Sequence, residues 1–175
     1  MHNTYLLIGG NLGNRLNNLN KAILLIEKYI GGIMIRSSVY ETAAWGFKSE
    51  NMFLNQLLCV ETLESPRSML SIILKIETMM GRNRQSAVDR RKAGKWRDRI
   101  IDIDILFYDD IILNENGLKI PHPYLHLRRF ALVPLAEIAG NMIHPGLNKT
   151  IEQLLEECTD DLEVEIKSNF GNDEV

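Results

Sequence analysis

Apolar and polar positions recur along this chain with two different periods, and the switches between them mark out its elements. The apolar run 4–8 stops at Gly9-Gly10 and reads as a buried strand entering a tight turn. Beyond Asn11-Leu12-Gly13-Asn14, the residues Leu19, Ala22, Ile23, Ile26 and Ile30 recur at three- and four-residue spacing until Gly31-Gly32. That is the pattern of an amphipathic helix with a glycine stop. The stretches 33–42 and 53–62 are rich in β-branched and aromatic residues and predict two strands joined by a loop. Ser65 and Pro66 suit the N-cap and first position of a second helix, whose buried stripe is Met69, Ile72, Ile73, Ile76 and Met80, with Gly81 ending it. The 100–108 run is the most strand-like in the chain, and a short hairpin is expected over 109–120. Two further helices are expected over 130–139 and 150–157. The order β-α-β-β-α-β is that of the split βαβ unit. The expected fold class is therefore α+β, a ferredoxin-like antiparallel sheet with two helices on one face and additional C-terminal helices covering another part of it.

Composition fits one domain: 175 residues at 45% hydrophobic bury a real core without disulfides or structural metal. We place the domain at 1–160 and expect 161–175 to be an acidic, mobile tail. No apolar run approaches the roughly 18 residues of a membrane span. No leader with a cleavage site is visible either, so a cytoplasmic protein is expected, with no membrane partner. Cys59 and Cys158 form no CxxC pair and read as structural thiols. The net charge of −3 conceals an asymmetry: eight basic residues stand between Arg82 and Arg99 against two acidic ones, while the rest is net acidic. Such a segment suits docking of an anion, phosphate foremost, the plainer alternative being a solvated loop.

The segment leads into Ile101-Asp102-Ile103-Asp104-Ile105. In a strand, alternate side chains share a face, so both carboxylates lie on one side and the isoleucines on the other. Adjacent carboxylates near a core need a compensating cation, and hard oxygen ligands without His or Cys favour Mg²⁺ completed by water and substrate phosphates. The alternative is an ion network between the aspartates and nearby arginines. No GxxxxGK[ST] loop is present, and Gly9-Gly10-Asn11-Leu12-Gly13 lacks a lysine, which excludes a P-loop enzyme. His122, between Pro121 and Pro123, is a loop histidine open to either a structural or a nucleotide-contacting role. A metal-dependent nuclease would use the same acidic pair, but the acidic remainder of the chain argues against nucleic acid. A non-catalytic interaction module leaves the pair and the arginines unexplained.

These pieces resemble the 6-hydroxymethyl-7,8-dihydropterin pyrophosphokinase family of folate biosynthesis, over about 5–155. The resemblance is carried by Ile8-Gly9-Gly10-Asn11-Leu12-Gly13, Tyr40-Glu41-Thr42, Phe53-Leu54-Asn55, Glu77 with Gly81-Arg82-Asn83-Arg84, Arg99-Ile100-Ile101-Asp102-Ile103-Asp104, and Pro121-His122-Pro123 with Arg128-Arg129-Phe130. It implies an ATP- and Mg²⁺-dependent enzyme that moves diphosphate from ATP to the pterin hydroxymethyl group and releases AMP, acting as a monomer. It further implies that Asp102 and Asp104 hold two Mg²⁺ ions, that Arg82 and Arg99 act on the phosphates, and that Glu77, Arg84, Trp96, Ile105, His122 and Arg128 form the ATP site. For the pterin it implies Asn55 on the ring edge, Phe53 and Phe130 on the ring faces, and the 42–46 loop, with Thr42, Ala43 and Trp45. The chain departs from the family pattern at Gly10, where a small polar residue is usual, at Ala43, where Pro is usual, and at Arg97-Asp98, where Gly-Pro is usual. The turn before the acidic strand is therefore expected to be shaped differently, and the long 85–95 loop is expected to be a lid over ATP.

Overall fold

The computed structural model describes residues 1–82 and 97–168. Among them the elements run β1 (His2–Gly10), α1 (Arg15–Tyr29), β2 (Gly31–Arg36), β3 (Val39–Thr42), β4 (Phe53–Thr62), α2 (Pro66–Met79), β5 (Asp102–Tyr108), β6 (Leu113–Glu115) and β7 (Leu118–Ile120). A 3-10 turn at Leu125–Leu127 then leads to α3 (Arg129–Ala139), β8 (Ile143–His144), β9 (Lys149–Thr150), α4 (Ile151–Glu157) and β10 (Val164–Ser168). The expected lid at 85–95, with Arg84 and Trp96, lies outside the described residues.

One sheet organises the chain. Its strands lie in the order β10-β3-β4-β1-β5, with β2 also paired to β4, and every pair is antiparallel. Alternation along the central strands sorts side chains to two cores. Leu6 and Ile8 of β1, Leu54, Leu58 and Val60 of β4, and Ile103 and Ile105 of β5 pack with Leu19, Ile26, Met69, Ile73 and Ile76 of α1 and α2. Leu7, Leu57 and Phe107 point the other way, against Leu132 and Leu135 of α3 and Ile151 and Leu154 of α4. The C-terminal helices thus cover the second face.

The two central helices start from their sequence caps: Asn14 accepts the Asn17 N–H, and Ser65 accepts the Ser68 N–H with Pro66 following. α1 ends at Tyr29, just before Gly31-Gly32 as expected, and the two glycines also open β2, where a Cβ on Gly31 would meet the Glu61 backbone of the facing strand. The expected 33–42 strand is broken at Ser37-Ser38. There Leu57 donates its N–H to the Ser37 hydroxyl at 2.9 Å, and Gln56 Nε2 donates to the Ser37 carbonyl at 2.8 Å. Side chains thereby replace ladder bonds and bend the edge. The tail expectation needs correction at 164–168: Val164 pairs with Thr42 and Ile166 with Tyr40, so this stretch is the outer strand of the sheet, not a loose end. An open β3 edge supplies partners that local composition does not reveal.

Candidate active site

β1, β3, β4 and β5 bring one end of the sheet together on the face that α3 and α4 leave open. The last residues of β1 and β3 and the first of β4 and β5 wall a cavity of about 300 Å³. Its lining includes Thr42, Ala43 and Trp45 from the loop after β3, Phe53 and Asn55 from β4, and Arg82, Arg99, Asp102 and Asp104 around β5. His122, Arg128 and Phe130 close the far side. The alternation of β5 thus has the consequence expected of it: both carboxylates face the cavity, while Ile103 and Ile105 are buried in the α1/α2 core.

The acidic pair is held unequally. Arg82 and Arg99 each bond Asp102, one on either oxygen. Burial by itself would raise the Asp102 carboxyl, but Arg99 and Arg82 outweigh it and hold it below its ordinary value. Among the described residues Asp104 pairs with Arg128 alone, at 3.8 Å, and 34% of its side chain stays exposed. Its burial against protein, and then the charge of Asp102, push its carboxyl up to about 7. Of the two alternatives drawn from the sequence, the arginine network is present, and among the described residues it grips Asp102 far more closely than Asp104. Two hard oxygen donors on one open face fit a divalent ion shared with a substrate. Among the described residues no cluster of three or more His, Cys, Asp or Glu forms a closed metal cage.

Two predicted nucleotide residues sit behind the cavity. Glu77 is fully buried, and its carboxylate bonds Arg82 and accepts the Ile103 N–H at 3.0 Å. It anchors the arginine to β5 from below. Ile105 is a core residue at 6% exposure.

Aromatic rings make the remaining wall. Arg99 lies over Phe53 at 5.6 Å, and Phe47 meets the edge of Phe53 at 6.2 Å. Arg128, only 6% exposed, sits among Trp45 (4.8 Å), Tyr124 (5.4 Å) and Phe130 (5.7 Å). Its Nε is buried with no hydrogen-bond partner among the described residues, and burial first of all lowers the guanidinium pKa. Asn55, 4% exposed, donates to the Thr42 hydroxyl at 3.0 Å. Gly9 makes room for it, since a Cβ there would overlap Asn55 Oδ1. His122 is oriented by its own loop, donating its N–H to the Leu106 carbonyl at 3.0 Å and accepting the Tyr124 N–H on Nδ1 at 3.2 Å. Sequence reasoning missed Phe47 and Tyr124 as wall residues. The position of Tyr124, two residues past His122, is the one local signal that pointed to it.

Paired carboxylates under convergent arginines, beside a wall of aromatic rings with a buried amide, suit an enzyme for a phosphate-bearing substrate. The comparisons agree. Residues 5–140 match the family model described as 7,8-dihydro-6-hydroxymethylpterin-pyrophosphokinase (HPPK), and this chain belongs to that family. It is 39% identical over 159 residues to the 2-amino-4-hydroxy-6-hydroxymethyldihydropteridine pyrophosphokinase of Aquifex aeolicus, covering 91% of this chain and 94% of the relative. The protein of the same name from Synechocystis is 37% identical over 162 residues, covering 90% and 78% of the two chains. Among solved structures, the Plasmodium falciparum HPPK-DHPS with SDX-DHP superposes with a TM-score of 0.69 at 23% identity, a likeness of fold. It covers 90% of this chain, which spans 43% of that longer one.

Proposed function

We propose that this chain transfers diphosphate from ATP to the hydroxymethyl oxygen of 6-hydroxymethyl-7,8-dihydropterin, releasing AMP and the dihydropterin diphosphate for folate biosynthesis. The observation that carries the reading is the cavity face of β5, where Asp104 stands open beside an Asp102 already gripped by Arg82 and Arg99. The strand order and the two helix-bearing crossovers support reading the sheet as the ferredoxin-like split βαβ unit. We read the chain as a single domain, since residues from Leu7 to Phe130 wall one cavity, and, in keeping with the sequence expectation, as a cytoplasmic monomer.

Asp102 and Asp104 would hold Mg²⁺, two ions on the family resemblance, and a bound cation supplies charge neutralisation for the polyphosphate. The chain's own residues do the positioning. Arg82 and Arg99 exchange Asp102 for phosphate oxygens, a trade between anions of similar geometry that keeps both guanidinium groups paired. Arg128 and His122 bind the nucleotide from the far wall, Arg84 and Trp96 join that site on the family resemblance, and Glu77 and Ile105 support it from behind the cavity. Asn55 presents amide donor and acceptor to the pterin edge, while Phe53 and Phe130 cover its faces and Thr42, Ala43 and Trp45 flank it.

The test is AMP formation from ATP, the dihydropterin and Mg²⁺. Wild type should release AMP only with both the pterin and the metal present. Asp102→Asn and Asp104→Asn should each slow release by on the order of a hundredfold or more. No AMP from wild type, or equal rates from the variants, overturns the assignment.

A further inference from the structure

Behind Arg99, outside the cavity, three segments far apart in sequence converge on one carboxylate. Asp98 Oδ1 accepts the Ser49 hydroxyl at 2.6 Å and the Asn11 side-chain amide at 2.7 Å, and its Oδ2 accepts the Asn51 amide at 3.4 Å. Asn11 is the hub of this cluster and is 4% exposed. Its Oδ1 accepts the Arg99 N–H at 2.8 Å, and its own N–H donates to the Arg99 carbonyl at 2.9 Å. Ser49 Oγ in turn accepts the Asn51 N–H at 3.1 Å. The donors, Ser49 first and then Asn11, hold the Asp98 carboxyl below its ordinary range. A carboxylate that gathers hydroxyl and amide donors makes stronger bonds than neutral acceptors do.

What the cluster joins gives it meaning. The loop that carries Ser49 and Asn51 also carries Ala43, Trp45 and Phe47 of the cavity wall. The residue after Asp98 is Arg99, whose guanidinium bonds Asp102 and lies over Phe53. The strand end at Asn11 fixes both. Gly10 lets this segment seat tightly, because a Cβ there would run into the Ile100 carbonyl oxygen and come within 2.8 Å of its carbon. We propose that Asp98 is a positioning residue that couples the aromatic substrate loop to Arg99, so that seating the flat acceptor and aiming the phosphate-handling guanidinium are set by one clasp. This rests on the proposed function only in reading that wall as the pterin's and Arg99 as the phosphate's. Asp98 itself touches neither the cavity nor the reacting atoms.

The experiment compares Asp98→Ala, Asp98→Asn, Ser49→Ala and the Ser49→Ala/Asp98→Ala double variant with wild type. AMP release is followed with pterin and ATP varied separately, and amide hydrogen exchange at Asn51 and Arg99 is followed in the ligand-free protein. Asp98→Ala should lower kcat/KM for the pterin about tenfold while KM for ATP stays within about twofold. Asp98→Asn keeps an acceptor oxygen for Ser49 and Asn11 and should recover most of the loss. The double variant should be no worse than Asp98→Ala, since both remove the same clasp. Exchange at Asn51 and Arg99 should quicken in Asp98→Ala. Unchanged pterin kcat/KM, additive losses in the double variant, or no recovery in Asp98→Asn overturns the coupling. Unchanged exchange overturns the clasp even if wild type releases no AMP, a result that would sink only the functional reading.

Discussion

Asp102 and Asp104 are the same side chain two residues apart, and their neighbours drive them in opposite directions. Asp104, raised to about 7, binds its proton more tightly in the folded chain than in the unfolded one. Its contribution to stability is therefore complete below the unfolded value of about 4 and is lost as pH rises through about 7. Asp102, held low, contributes above its unfolded value and loses that contribution in acid. The melting temperature of the ligand-free protein should accordingly fall between about pH 4 and pH 7, and Asp104→Asn should flatten that fall. An undiminished fall in the variant would locate its origin elsewhere. Period-two alternation was enough to find this pair in the sequence. Which aspartate keeps its proton was not legible, because Arg82, Arg99 and Arg128 reach them from three separate segments.

Short elements depend on their ends. The seven-residue α4 opens with a reciprocal cap, in which the Thr150 hydroxyl accepts the Gln153 N–H at 3.2 Å and Gln153 Oε1 accepts the Thr150 N–H at 2.9 Å. Thr150→Ala should cost about 1 kcal/mol of unfolding free energy in urea denaturation. An unchanged midpoint would mean that burial of Ile151 and Leu154 alone holds the helix. Elements whose cause is local were readable in advance, as α2 was from Ser65-Pro66 and its stripe. The break at Ser37-Ser38 was not, since its substitute partners Gln56 and Leu57 lie some twenty positions away. β10 was hidden for the same reason, as Val164 and Ile166 pair with the distant β3. The Asn11, Ser49 and Asp98 cluster likewise has no period to announce it.

At the scale of the molecule, the two faces of the sheet must keep register, because α3 follows directly on Arg128 and carries Phe130 into the cavity. Glu137, near the other end of α3, ties that helix to the broken edge. Its carboxylate accepts the Ser38 N–H at 2.9 Å, the Ser38 hydroxyl at 2.9 Å and the Tyr40 hydroxyl at 3.0 Å. Burial, and then this carboxylate, push the Tyr40 phenol up to about 12. Glu137→Gln keeps one acceptor and loses the charge, so it should lower stability by about 1 kcal/mol. Equal melting temperatures for the two proteins would show that apolar packing of α3 suffices.

The close approach of Ile100 to Gly10 also bears on how relatives of this protein diverge. A side chain at position 10 needs the 98–100 backbone to travel further from β1, and a backbone displaced that far no longer brings residue 98 to Asn11 and Ser49. Glycine at 10 and aspartate at 98 are thus a linked pair of characters. Lineages should gain or lose them together, and grafting one into a relative without the other should yield a chain worse than either parent.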